Sequence, residues 1–242
     1  MIRVEKLTIG HGGRAILDDL TFTVASGERF VVLGGSGCGK STLLRHLAGL
    51  ESPLAGTIDI DGAGPPQAEA GPPRIGVMFQ SGALLGSETL WQNVALPLRE
   101  WTNLDDISID AVVRSKLELV GLDGFEQHLP AELSGGMKKR AGIARALALD
   151  PSLLLLDEPS AGLDPVSAAD LDRLIVTLNE CLGTTMVIVT HELDSIFHVA
   201  SDCIMLDRAA RGIIARGDPR RLRDESDDPR VRRFFRRLPT GE

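Results

Sequence analysis

Short apolar runs recur along this chain, set apart by polar turns and by stretches long enough to hold a helix. Phe30 to Leu33, Ile75 to Phe79, Leu153 to Leu156, Met186 to Val189 and Cys203 to Leu206 are continuous rather than alternating, and rich in Val, Ile and Leu. A strand of that kind has both faces covered, which is the mark of a parallel sheet between layers of helices. Ile2 to Ile9, Leu20 to Val24 and Thr57 to Ile60 are strand-like too, divided by the turn signals Gly10-His11-Gly12-Gly13 and Ala25-Ser26-Gly27. Helical spacing over Leu43 to Leu50, Ala111 to Val120, Gly135 to Leu149, Val166 to Leu182 and Leu193 to Ala200 occupies the intervals. The alternation predicts an α/β fold on a parallel sheet. From about Leu84 to Leu149 the pattern is helical with no clear strand, so this stretch reads as a helical insertion. The Pro- and Gly-rich segment Gly62 to Pro73 reads as a surface loop.

Composition narrows the picture. A length of 242 residues suits one large domain, or a core with a small insertion. The formal charge of −8 argues against a general nucleic-acid binder. No apolar run approaches the length needed to cross a bilayer, and the opening Met1-Ile2-Arg3-Val4-Glu5-Lys6 has no apolar signal region, so export is not expected. The three cysteines, at 38, 181 and 203, show no metal-binding spacing and point to a reducing compartment. From Gly217 onward the chain is dense in arginine with interspersed acids. That tail reads first as a solvated helix, then as a protein contact, and last as a site for anionic lipid or nucleic acid.

Three clusters carry chemistry. After the run Phe30 to Leu33 comes Gly34-Gly35-Ser36-Gly37-Cys38-Gly39-Lys40-Ser41-Thr42, and then a helical segment. Strand, glycine loop and helix in this order make a phosphate-binding loop: the backbone curls so that N–H groups point at a triphosphate. The following helix start adds its positive end, Lys40 reaches the β- and γ-phosphates, and the Ser41 hydroxyl holds Mg²⁺. Cys38 reads as a small residue tolerated by the loop, with a redox role as the alternative. The second cluster is Leu153 to Leu156 followed by Asp157-Glu158: a buried strand that delivers two acids to the sheet edge where ligands sit. Asp157 suits Mg²⁺ through its water shell, and Glu158 suits activation of an attacking water. The bland alternative is a strand ending in solvated acids. The third is Leu133-Ser134-Gly135-Gly136-Met137 ahead of a basic, helical stretch. Ser134 as a helix cap and the glycines as an anion site fit equally well on physical grounds.

In order and spacing these clusters resemble the ATP-binding subunits of ABC transporters. Leu133 to Met137 is similar to the family signature, with Met137 where glutamine is usual. The resemblance implies a RecA-like parallel-sheet core with an antiparallel β-subdomain (about 1–85 and 150–216), a helical subdomain (about 86–149) and a tail (217–242), all within one domain. It implies that Gln80 stands beside Mg²⁺ and the permease contact, and that Ser160 to Asp164 crosses the dimer interface. His191 is then the γ-phosphate histidine, and His11 holds the place where an aromatic residue usually stacks on adenine. Two copies then pack head to tail, each nucleotide lying between the phosphate loop of one and Ser134, Gly135, Gly136 and Asp164 of the other.

Three stretches are similar to one branch, the ATPases of Mla-type lipid transporters of the MCE class: Phe79 to Leu85, the Met137 form of the signature running on through Pro151, and Asp228 to Phe235. This implies a Mg²⁺-dependent ATPase that moves phospholipid between inner and outer membranes. It would lie on the cytoplasmic face of the inner membrane, as a homodimer below a permease, with an MCE-domain lipid-binding subunit and a small STAS-domain regulator. Val231, Phe234, Phe235 and Leu238, at helical spacing in the tail, are expected to dock on the second copy or a regulator. The competing readings are an ATPase for import of an amino acid or other polar solute, a soluble non-transport ABC ATPase, and a nucleotide sensor without turnover.

Overall fold

The computed structural model describes residues 1–64, 74–80 and 82–237. Most of the expected loop between Gly62 and Pro73 lies outside the described residues, as do Ser81 and Leu238. The chain divides into two compact units, Met1–Ala68 with Thr185–Glu242, and Glu69–Thr184.

The first unit opens with β1 (Ile2–His11) and β2 (Arg14–Val24), an antiparallel hairpin turned at Gly12-Gly13. After β3 (Arg29–Gly34) and α1 (Lys40–Leu47), β4 (Ala55–Ile60) pairs with the free side of β1, giving the sheet β2-β1-β4. Burial along β1 falls on Ile2 and Val4 and then on Leu7 and Ile9, the alternation shifting by one residue at an irregularity where Lys6 takes φ +47°. The parallel layer is different. Here β3 lies between β7 (Thr185–Val189) and β8 (Asp202–Asp207), with Val31 level with Ile188 on one side and Cys203 on the other. Phe30 to Leu33 and Met186 to Val189 are all buried, so continuous apolar runs indeed form strands covered on both faces. Phe22 stacks on Phe30 with ring centroids 5.6 Å apart, joining the two layers of this unit.

One strand has no counterpart in the hydropathy pattern. β9 (Gly212–Gly217) pairs antiparallel with β8, and four of its six residues, Gly212 to Ala215, are only half-buried. Gly217 is half-buried as well, which leaves Arg216 the one exposed residue of β9, and an edge strand covered in this way shows neither a continuous apolar run nor a clean alternation. The tail forms two short helices, each started by proline behind an aspartate cap: α7 (Pro219–Glu225) and α8 (Pro229–Phe235). Val231 and Phe235 are buried, and Phe235 meets Phe197 of α6 (Leu193–Val199) at 5.7 Å between rings. These two residues therefore pack on their own chain, which corrects the expectation that they are offered to a partner.

Among its described residues the second unit holds β5 (Ile75–Met78), paired in parallel with β6 (Leu153–Asp157), and four α-helices: α2 (Leu90–Trp101), α3 (Asp106–Leu119), α4 (Gly135–Ala146) and α5 (Pro165–Leu182). All of β6 is buried. α2 was visible only as part of a long helical stretch, yet its start carries a capping box: Thr89 accepts from the Gln92 backbone and Gln92 accepts from the Thr89 N–H. Asn93, fully buried, fixes the approach to α2. Its amide donates to the carbonyls of Leu85, Glu88 and Thr89 and accepts from the Leu85 N–H.

Candidate functional site

The phosphate loop leaves the end of β3 through Gly34, whose φ is +144°. A Cβ on Gly34 would come within 2.4 Å of the Leu206 carbonyl oxygen, so only glycine lets β3 approach β8 this closely. Gly37, at φ +72°, turns the loop back, and Gly39 at φ +101° is the N-cap of α1 with no side chain bonded to it. Gly35, Ser36 and Gly37 are exposed, and a Cβ on Gly35 or Gly37 would meet nothing within 4 Å. The curve is thus an open cradle of main chain at the positive end of a helix, a shape and polarity that fit a polyphosphate.

Lys40 is buried, and its ammonium crosses the loop to donate to the Gly34 carbonyl at 2.8 Å and the Gly35 carbonyl at 3.1 Å. Ser41 and Thr42 follow on the first turn of α1 and are half-buried. Cys38 is buried, and burial pushes its thiol up, against a smaller downward pull from Lys40. A thiol held protonated is a poor nucleophile, which favours the packing reading of Cys38 over the redox one.

Two histidines of this unit are expected to serve the nucleotide. Val32 and Val189 are level on adjacent parallel strands, so His191, two residues past Val189, leaves the same sheet edge as Gly34. It is half exposed, and its Nε2 lies 3.5 Å from Glu192. His11 ends β1 beside the turn, and its Nδ1 lies 3.4 Å from the Glu51 carboxylate, which also faces Arg45 at 3.6 Å. Glu51 carries no signal in the sequence, because the loop after α1 has no motif.

The second unit carries the acids and the signature. Asp157 closes β6 and Glu158 follows it; each is 8% exposed. Glu158 has φ +48°, a left-handed conformation rare outside glycine and costing roughly 1–3 kcal/mol. So the all-apolar strand ends in a turn that holds a carboxylate in a low-dielectric setting. Gln80, exposed, lies two residues past the end of β5, the strand paired with β6.

Ser134 caps α4, accepting from the Met137 N–H at 3.2 Å. Gly135 and Gly136 lie against the start of α5, where a Cβ on Gly135 would meet Leu163 at 3.2 Å. The signature is therefore a helix cap in this chain, and its glycines leave that helix start uncrowded. Asp164 caps α5 through the Val166 and Ser167 N–H groups, and hydrogen bonds from Ser167 hold its carboxyl below the usual range.

Pattern reading missed two cations on α4, the buried Lys139 and the half-buried Arg145. They bond to main-chain carbonyls of the Gln80 loop and of Glu158. Sequence displayed them only as part of a basic helix.

The ABC transporter family profile matches residues 17–161, which takes in the phosphate loop, Gln80, the signature and the two acids. The chain belongs to the ABC transporter family. Among curated members, the probable ribonucleotide transport ATP-binding protein mkl of Mycobacterium tuberculosis is 44% identical over 239 residues. That match covers 97% of this chain and 66% of the relative, so the chain spans just under two thirds of that protein's length. The intermembrane phospholipid transport system ATP-binding protein MlaF of Escherichia coli is 38% identical over 246 residues, covering all of this chain and 90% of the relative.

Solved structures of ABC family members give the same fold. The cassette MJ0796, a dimer in a post-hydrolysis state bound to ADP and phosphate, matches with TM-score 0.79 at 27% identity, covering 90% of this chain and 98% of that one. cbiO1 of Clostridium perfringens, part of the ABC transporter complex cbiONQ, matches with TM-score 0.84 at 28% identity, covering 93% and 90%. The fold is thus the α/β fold of ABC cassettes, with an antiparallel sheet beside a largely parallel one.

Proposed function

We propose that this chain is the ATP-hydrolysing subunit of a membrane transporter that moves phospholipid. The observation that carries the reading is the end-to-end match to an intermembrane phospholipid transport ATPase, which spans the whole of this chain and nearly all of the relative. The relatives named for ribonucleotide transport are more identical but about half as long again, and they supply the second reading, a nucleotide cargo.

In the proposed reaction the amides of Gly35 to Thr42 and the Lys40 ammonium bind the phosphates and offset their charge. Glu158 accepts the proton of the attacking water, and His191 donates toward the terminal phosphate. Ser41, Gln80 and Asp157 offer a hydroxyl, an amide and a carboxylate. These are hard oxygen donors that suit Mg²⁺. When bound, Mg²⁺ would draw charge from the phosphate oxygens. His11 stacks on the base, and Ser134, Gly135, Gly136 and Asp164 serve the nucleotide of a second copy. The dimeric solved cassette supports that pairing.

The remaining partners follow from the resemblance: a permease, an MCE-domain subunit and a STAS-domain protein, with the chain peripheral on the cytoplasmic face of the inner membrane. No described helix is long and apolar enough to cross a membrane. Extracting the tagged chain in mild detergent tests the proposal. The expected result is co-purification of an integral-membrane protein with stoichiometric phospholipid. A complex carrying ribonucleotide and no enriched lipid would replace the first reading with the second.

A further inference from the structure

α4 is known above as the helix that starts at the signature, yet one side of it is built to hold other segments. Lys139, Gly142 and Arg145 follow at intervals of three and fall on one side of the helix. Lys139 is buried, and its ammonium donates to the Gln80 carbonyl and, at 3.1 Å, to the Glu158 carbonyl. Gly142 lies so close to the Gln80 loop that a Cβ there would sit 3.2 Å from both the Cα and the carbonyl oxygen of Gly82. Arg145 donates to the carbonyls of Gly82, at 3.2 Å, and Ala83, at 2.7 Å. Four main-chain carbonyls from two separated segments are thus gathered by two cations on a single helix.

That arrangement is costly if its only task is packing. An ammonium taken out of water loses several kcal/mol of hydration, and an apolar residue of similar length would fill the space without that loss. Burial pushes the Lys139 ammonium down, while the Glu158 and Asp157 charges push it back up, so the group sits in the field of both acids. The Glu158 carbonyl that Lys139 holds also accepts the Ala161 N–H at 3.2 Å, inside the left-handed turn that sets the Glu158 backbone. A donor fixed to that carbonyl restrains the turn, and the turn aims the carboxylate.

We infer that Lys139 is a positioning residue, tying the signature helix, the Gln80 loop and the Glu158 turn together so that the first two fix where the Glu158 carboxylate stands. The inference rests on the reading of Glu158 as the base and extends it. Lys139 touches neither substrate nor the reacting atoms, and acts through main chain. Its loss therefore costs alignment for reaction and spares nucleotide affinity.

The test uses the full chain in its detergent-extracted complex, with Lys139→Met, Lys139→Arg and Glu158→Gln made in parallel. Lys139→Met is expected to lower kcat for ATP roughly 10- to 100-fold, the size of effect seen when a reacting group is displaced by about an ångström. KM stays near the parent value, and Lys139→Arg, which keeps the donors, recovers part of the loss. Added to Glu158→Gln, Lys139→Met costs little more, because both act on one group. Amide exchange supplies a second readout that does not depend on turnover. The Gly82 and Ala161 amides, bonded within the two held turns, exchange faster in Lys139→Met, while the β6 amides do not. A Lys139→Met enzyme with parental kcat and parental exchange at both amides overturns the inference while an inactive Glu158→Gln leaves the base intact. Near-normal turnover in Glu158→Gln instead removes the base itself, and the role of Lys139 with it.

Discussion

The two halves of the chemistry are held by opposite means. In the first unit the phosphate loop is shaped by what is missing. Gly34, Gly37 and Gly39 supply backbone angles and clearances that a side chain would spoil, and the one buried cation, Lys40, lies across the loop's own carbonyls. In the second unit the acids are shaped by what is added. Glu158 takes a strained left-handed angle despite its side chain, and Lys139 and Arg145 reach from another helix to grip the surrounding main chain. A loop built from glycine is self-contained, whereas a turn held by distant cations responds to whatever moves the helix that carries them. The first suits a fixed cradle and the second suits a part whose alignment is set by its neighbours.

Removing one charged group from each half is the strongest way to break this contrast. Glu158→Gln keeps the volume but removes the carboxylate proposed as base, so turnover is expected to fall by about 10²–10⁴-fold with nucleotide affinity intact. Lys40→Ala is expected to abolish turnover while also weakening nucleotide binding, because in the proposed reaction the cation serves the bound phosphates and the transition state alike. Equilibrium binding of a fluorescent ATP analogue, run beside a phosphate-release assay, separates the two. If Glu158→Gln lost affinity and Lys40→Ala kept it, the halves would have to exchange roles.

The contrast also explains what could be read in advance. Gly34 to Thr42 was legible because main-chain geometry demands glycine at fixed positions, and such demands leave a local pattern. The strands of the parallel layer were legible for the same kind of reason: burial on both faces leaves unbroken apolar runs such as Leu153 to Leu156. β9 was not, since its partly covered residues mix the two signals. Lys139 and Arg145 were hidden for a different reason. A carbonyl acceptor can belong to any residue, so nothing at Gln80, Gly82 or Ala83 marks them as acceptors for a cation some 60 positions away. The start of α2 could have been found, because Thr89 and Gln92 carry the spacing of a capping box.

A smaller effect sharpens the picture of the first unit at its rim. His11 faces Glu51 across 3.4 Å, and Glu51 is also within 4 Å of Arg45 and His46. Tyrosine at this place offers a larger ring for the base. His11→Tyr is therefore expected to tighten ATP binding several-fold, in line with the roughly 0.5–1.5 kcal/mol typical of an aromatic pair. Titration with ATP and then GTP reads both affinity and selectivity. Unchanged or weaker ATP binding counts against stacking at this residue.

Acid distinguishes the units by their helix caps, and here the expected effect is smallest. Asp228 starts α8 in the first unit. Hydrogen bonds from the Arg230 guanidinium and backbone pull its carboxyl down to about 2, against an ordinary 3.8. A carboxylate whose folded value lies below its unfolded one stabilises fully above the unfolded value, and that contribution disappears as pH falls through the folded one. The docking of α8 through Val231 and Phe235 should therefore be strongest well above 3.8 and weaken as pH falls through 3.8 toward about 2. Asp164, which caps α5 in the second unit, is lowered in the same sense by the Ser167 side chain and by the backbone N–H groups of Ser167, Val166 and Asp164, with no arginine among the causes. A cap that relies on a guanidinium is screened by salt, while one made of neutral N–H donors is much less so. Amide exchange across acid pH, at low salt and again at high salt, should show the α8 transition moving up in pH with salt and the α5 transition staying in place. Equal salt shifts at both helices would mean that the Arg230 charge adds nothing beyond its hydrogen bonds.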